Sequence, residues 1–86
     1  MRDAEKLLAR MRASKADWNF TDLEALYLGY GFKYREGSKH RMYFHPAHPE
    51  LYATVARHTS LAKGYVVDAI RLIDRLQQLE SDNEQK

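Results

Sequence analysis

The chain has 86 residues, a formal net charge of +2 and no cysteine. This length fits one small domain with a modest core, and the missing thiols exclude a disulfide framework and a cysteine metal site. No apolar run approaches the ~20 residues that span a bilayer, and the charged N-terminus lacks the apolar stretch of a signal peptide. We therefore expect a single cytoplasmic domain, residues 1–86, with no membrane association; the weak positive charge permits a nucleic-acid partner without requiring one.

Two helices are predicted in the first third of the chain. The first segment places four apolar residues on one helical face: Ala4, Leu7, Leu8 and Met11. This spacing predicts an amphipathic helix, Asp3–Ala13, that packs on a core. Thr21 and Glu24 have the spacing of a capping box, which predicts a second helix near Thr21–Leu28. Gly31 is predicted to follow its end in the left-handed conformation.

Three strand-like runs come next: Phe32–Arg35, His40–His45 and Leu51–Arg57. Their short connections predict an antiparallel meander, and the two prolines of "PAHPE", residues 46–50, predict a loop before the third strand. The helical period returns over Tyr65–Leu79, and the polar residues 81–86 are expected to be a disordered tail. The order α-α-β-β-β-α predicts an α+β fold with helices on one face of a three-stranded antiparallel sheet.

Three motifs on this plan resemble one family. They are "LGYGF" (Leu28–Phe32), "GSKHRMYFHP" (Gly37–Pro46) and "ATVARHTSLAKG" (Ala53–Gly64). In this order, within a core of residues 20–79, they resemble the HicA toxins of bacterial toxin–antitoxin systems, which are small mRNA interferases. The resemblance implies a fold like the double-stranded-RNA-binding domain, with helix 3–13 as an addition. It also implies metal-independent endoribonuclease activity that depends on one histidine and no cofactor, and neutralisation by a HicB-type antitoxin.

His40 is the position that matches the family's histidine. RNA carries its own nucleophile, the 2′-OH, and a histidine with an unperturbed pKa of ~6.5 suits the removal of its proton. We therefore predict that His40 is the catalytic residue of an enzyme that cleaves mRNA. The plainer alternative is that His40 is a half-exposed strand residue in a non-catalytic RNA-binding or protein-interaction module.

Several residues near His40 are candidates to bind RNA phosphate, because cations and backbone amides stabilise the charge that develops there. They are the Gly-Ser turn and the neighbouring basic residues: Gly37, Ser38, Lys39, Arg41, Lys33, Arg57, His58 and Lys63. His58 is alternatively a second proton-transfer group. The start of the last helix, near Gly64, has amides that can bind a phosphate or can simply be capped.

Two further features of the second strand leave alternatives open. His45 and His48 have a His-x-x-His spacing, but zinc sites usually include a supporting carboxylate or thiolate, so we predict no metal. Alternation divides the strand between two faces, with His40, Met42 and Phe44 on one and Arg41, Tyr43 and His45 on the other. One face must pack the helices. The other face is available to a partner or to unpaired bases that stack on aromatic rings.

Overall fold

The computed structural model describes residues 3–56 and 63–84, without the side chains of 82–84. The elements follow in the order α1 (Asp3–Ala13), α2 (Phe20–Gly29), β1 (Lys33–Glu36), β2 (His40–His45), β3 (His48–Ala56) and α3 (Lys63–Glu84). The strands form one antiparallel sheet in the order β1-β2-β3. The predicted α+β fold with a three-stranded antiparallel sheet is therefore confirmed.

Helix α1 has the predicted bounds and packs against α2 and α3. Its buried residues are Ala4, Leu8 and Met11, whereas Leu7 is only partly buried. The guanidinium of Arg12 pairs with the carboxylate of Asp74 on α3, with 3.2 Å between Nη1 and Oδ2. An apolar stripe and one ion pair therefore dock α1 on the rest of the chain.

The predicted cap of α2 is wrong, because the helix begins earlier than Thr21 and uses other residues. Asn19 is the N-cap: its Oδ1 accepts a hydrogen bond from the Asp22 backbone N–H at 2.8 Å. The Asp22 carboxylate in turn accepts from the Asn19 N–H at 3.3 Å. Glu24 faces the sheet, where it pairs with an arginine, and so does not cap the helix. Gly31 follows the helix with a φ of +90°, as predicted.

The sheet differs from the prediction mainly in its second hairpin. Strand β2 has the predicted bounds, but β1 is displaced by one residue and β3 begins at His48. The predicted loop over residues 46–50 is therefore wrong, and only two residues turn between β2 and β3. Phe44 pairs with Tyr52 while His45 pairs with His48, so residues 49–51 form a bulge in β3. A bulge in an edge strand tolerates Pro49, because no donor to the ladder is required there.

Helix α3 is longer than predicted at both ends. It continues to Glu84, so the expectation of a disordered tail is wrong for residues 81–84, where no glycine or proline stops the helix. Its buried stripe faces the core and consists of Val66, Ala69, Ile70, Ile73 and Leu76. Within residues 3–56 and 63–84, none of the helices has the length and apolar character needed to cross a membrane.

The centre of the core is an aromatic cluster beneath β2. The Tyr27 ring of α2 stacks on the Tyr43 ring with 4.6 Å between centroids, and it contacts the Phe32 ring at 5.1 Å. All three side chains are almost completely buried. This cluster fixes the Tyr43 side of β2 as the face that packs the helices, and it leaves the other side of the strand uncovered by them.

Candidate functional site

The uncovered side of the sheet brings together polar, basic and aromatic residues from all three strands. Strand alternation puts His40, Met42 and Phe44 on this side, and the register places Lys33 and Arg35 of β1 and Tyr52 and Thr54 of β3 beside them. We call the surface formed by these seven residues the open face. His40 and Tyr52 are exposed, whereas Met42 and Phe44 are partly buried.

His40 lies at one end of the open face, beside the tight connection between β1 and β2. The Gly37 N–H donates a hydrogen bond to the His40 carbonyl oxygen at 2.8 Å. A Cβ atom at position 37 would lie 3.0 Å from that oxygen, so a side chain there would require the turn to shift by a few tenths of an ångström. Ser38 and Lys39, both exposed, complete the turn. The His40 side chain is exposed, and within the described residues its imidazole makes no hydrogen bond or ion pair.

The start of α3 lies at the same end of the sheet as His40. Ala56, the last described residue of β3, pairs with His40. Its N–H donates to the Tyr65 hydroxyl at 3.4 Å, which anchors the first turn of α3 there. Lys63, the first residue of α3, is exposed. The predicted phosphate-binding residues Arg57 and His58 lie outside the described residues.

Arg41 does not join this group, although it follows His40 directly. Its guanidinium pairs with the carboxylates of Glu24 and Glu36, with 3.0 Å from Nε to Glu36 Oε1. It also lies over two aromatic rings, 4.2 Å from the centroid of Tyr34 and 5.1 Å from that of Phe20.

The charges around Arg41 indicate a structural role for its guanidinium. Partial burial lowers the pKa of the Arg41 guanidinium, but its hydrogen bonds, that with Glu36 above all, outweigh burial and raise that pKa above the ordinary value. The Tyr43 hydroxyl lies 3.5 Å from Glu24 Oε1, and burial raises the pKa of Tyr43 to about 12. Adjacent strand residues face opposite sides, so Arg41 holds α2 to the first hairpin and lies away from His40.

Sequence reasoning predicted Lys33 as a phosphate ligand but missed Arg35. Lys33 pairs with Phe44, four residues along β2 from His40, which corresponds to about 13 Å at ~3.3 Å per residue. The Arg35 guanidinium lies 5.7 Å from the centroid of the Phe44 ring. The alternation of basic residues in "KYR" was the signal that could have placed both cations on one face.

His45 ends β2 and His48 begins β3, and both lie on the side of the helices. The His45 Nδ1 accepts from the Ala47 N–H at 3.1 Å, and its ring meets that of Phe32 edge-on at 5.2 Å. His48 Nε2 is 3.9 Å from a carboxylate oxygen of Glu80. In the part of the chain that the structure describes, no group of three or more histidine, aspartate and glutamate side chains is placed to hold a metal ion.

Comparison with protein-family models, curated proteins and solved structures found no match to this chain. The fold and the site define a small α+β protein whose sheet carries on one face an exposed histidine and cations that are unpaired among the described residues. The resemblance to HicA toxins therefore depends on the three sequence motifs.

Proposed function

We propose that this protein is a HicA-like mRNA interferase, the toxin of a type II toxin–antitoxin system, with a fold related to the double-stranded-RNA-binding domain. The observation that carries the proposal is the position of His40. Its imidazole is exposed and unpartnered within the described residues, beside the Gly37 turn. Lys39, the residue before it, and Lys63, at the start of α3, are exposed as well. An anionic substrate can therefore approach the imidazole.

The proposed reaction needs no metal, because the substrate supplies the nucleophile. His40 accepts the proton of a ribose 2′-OH, and the 2′-oxygen attacks the adjacent phosphorus. The bond from phosphorus to the 5′-oxygen breaks, which leaves a 2′,3′-cyclic phosphate on one product. The 5′-oxygen of the other product takes up a proton, either from the imidazolium or from water. The two lysines and the amides of the first turn of α3 stabilise the charge on the phosphate oxygens.

Neutralisation by a HicB-type antitoxin is part of the same proposal. The open face carries the predicted catalytic histidine together with two cations that are unpaired within residues 3–56 and 63–84, so a partner that covers this face would block catalysis and RNA binding together. The exposed aromatic ring of Tyr52 offers such a partner apolar area.

One observation favours a second candidate, a non-catalytic RNA-binding module on the same fold. Within the described part of the open face, His40 is the one histidine, and His45 and His48 lie on the side of the helices. No second imidazole is therefore present among those residues to protonate the leaving group. In this alternative the basic residues bind phosphate and His40 is incidental.

Cleavage assays with His40→Ala and His48→Ala test the proposal. General acid–base catalysis contributes about 10²–10⁴-fold in rate, so His40→Ala should lose most of the cleavage while it retains its fold by circular dichroism and binds RNA. His48→Ala, the matched control on the other side of the sheet, should cleave normally. The products should carry a 2′,3′-cyclic phosphate, and chelators should have no effect.

The outcomes separate the two candidates. Equal cleavage by wild type and His40→Ala would show that His40 is not catalytic. Binding without cleavage by the wild type would favour the non-catalytic module, and the absence of binding at low salt would contradict both.

A further inference from the structure

The end of the open face away from His40 contains an aromatic depression. It has a volume of about 330 Å³ and is lined by Arg35, Met42, Phe44, Pro49 and Tyr52. Phe44 and Tyr52 are cross-strand neighbours, and 58% of Tyr52 is exposed. An exposed tyrosine beside a partly buried phenylalanine on a concave surface is typical of a binding site, and the core lies on the other side of the sheet.

The chemistry of this depression suits a flat ring. Phe44 and Tyr52 present aromatic surface, and Arg35 adds a planar guanidinium 5.7 Å from the Phe44 centroid. Aromatic and guanidinium planes are the surfaces on which unpaired bases stack. Bases in a duplex are already stacked and paired, so they cannot enter such a depression. The shape therefore selects single-stranded over double-stranded nucleic acid.

The charges around the depression suit the phosphates that flank a base. Lys33 and Arg35 have no acidic partner within the described residues, whereas Arg41 on the opposite side has two. Glu50 is the nearest acidic residue along β3, and it forms no ion pair in that part of the chain. Two cations are thus left uncompensated on the same surface as the aromatic pair, which is the arrangement that attracts a polyanion.

We propose that Phe44, Tyr52 and Arg35 form a subsite that binds one base of single-stranded RNA and thereby sets the position of cleavage. This proposal rests on the proposed function. It adds that the substrate is single-stranded and that the bound base determines which phosphate is cleaved. Phe44 and His40 share one face of β2 at a separation of about 13 Å, from ~3.3 Å per residue. A strand with a base at this subsite reaches His40 after a fixed, small number of nucleotides, so cuts occur at a constant distance from the bound base.

Binding is tested on the His40→Ala protein, so that cleavage cannot interfere. The probe is a single-stranded RNA oligonucleotide that contains one 2-aminopurine, whose fluorescence is quenched by stacking. Adding Tyr52→Ala should weaken binding about 5- to 150-fold, the equivalent of ~1–3 kcal/mol of base stacking, and should abolish the extra quenching. Tyr52→Phe should retain both the affinity and the quenching, because stacking uses the ring and not the hydroxyl.

Tyr34→Ala is the matched control, since Tyr34 is also a half-exposed strand tyrosine (43%) but faces the helices. It should bind the single strand like the parent, and duplex binding should be the same in the parent and in Tyr52→Ala. Unchanged single-strand affinity in both Tyr52→Ala and Phe44→Ala would overturn the proposal. An equal loss in Tyr34→Ala, or an equal loss of duplex binding, would overturn it too.

Cleavage mapping with His40 intact separates failure of the subsite from failure of catalysis. Tyr52→Ala should cut at more scattered positions than the wild type. An unchanged cleavage pattern would overturn the subsite and leave the ribonuclease proposal standing. A wild type that stacks the probe but never cleaves would overturn the ribonuclease proposal and the register, while base binding by the subsite would stand.

Discussion

Arg41 tests whether one side of the sheet stabilises the fold while the other side binds RNA. The change is Arg41→Met, which retains most of the side-chain stem and removes the charge. The Arg41 side chain is 13% exposed, and its partners Glu24 and Glu36 are 31% and 42% exposed. We expect this variant to lose stability while its native form binds RNA like the wild type, because its guanidinium is held by carboxylates on the side away from His40.

The magnitude follows from the contacts that are lost. Each of the two ion pairs contributes about 1 kcal/mol after allowance for solvent screening. Each of the two cation–π contacts contributes about 0.5 kcal/mol. The free energy of unfolding should therefore fall by about 3 kcal/mol. At ~4–8 °C per kcal/mol for a domain of this size, the Tm should fall by about 12–24 °C.

Urea unfolding at pH 7 measures the stability, and RNA binding is measured at a temperature where the variant is folded. Lys33→Met is the control on the open face. Its stability should change by less than about 0.5 kcal/mol, because Lys33 is exposed and unpaired among the described residues, and its RNA affinity should fall with a shallower salt dependence. A folded Arg41→Met protein with normal stability and weakened RNA binding would refute this division of roles.

Three further predictions concern the core. Tyr27→Phe removes a buried hydroxyl that has no hydrogen-bond partner among the described residues, so the free energy of unfolding at pH 7 should rise by about 1 kcal/mol. Burial also raises the pKa of Tyr27 above its ordinary value, so the wild type should keep its full free energy of unfolding below pH ~10 and lose part of it above that pH. The loss should be smaller in Tyr27→Phe. Equal urea unfolding curves of the wild type at pH 7 and 10.5 would contradict this. Met11→Ala should lower the free energy of unfolding, measured by calorimetry, by about 2–5 kcal/mol because Met11 is completely buried. Glu5→Ala, at an exposed position of the same helix, is the control and should have no effect. An unchanged stability of Met11→Ala would show that α1 is not docked.

Local chemistry was sufficient to predict several elements from the sequence. The bounds of α1 follow from the spacing of its apolar residues, and the end of α2 follows from Gly31. Strand β2 was delimited by a Gly-Ser turn and a proline. In each case the signal lies within a few residues of the element, so no distant contact is needed to interpret it.

Other features depend on contacts that are remote in sequence. Thr21 and Glu24 have capping-box spacing, yet Glu24 pairs with Arg41, seventeen residues away, and Asn19 caps the helix instead. The second hairpin is tighter than its prolines suggested, because a bulge in the edge strand removes the need for a donor at Pro49. The length of α3 was underestimated because its polar end contains no residue that stops a helix.

The sequence by itself determined that β2 has two faces and which side chains share each one. It could not determine which face is covered, because Tyr43 on one side and Phe44 on the other are both aromatic. The stack of Tyr27 on Tyr43 decides this, since burying that pair beneath α2 and α3 leaves Phe44 beside Tyr52 on the open face. Because neighbouring strand residues point in opposite directions, Arg41 then lies on the side that packs the helices and His40 lies on the exposed side.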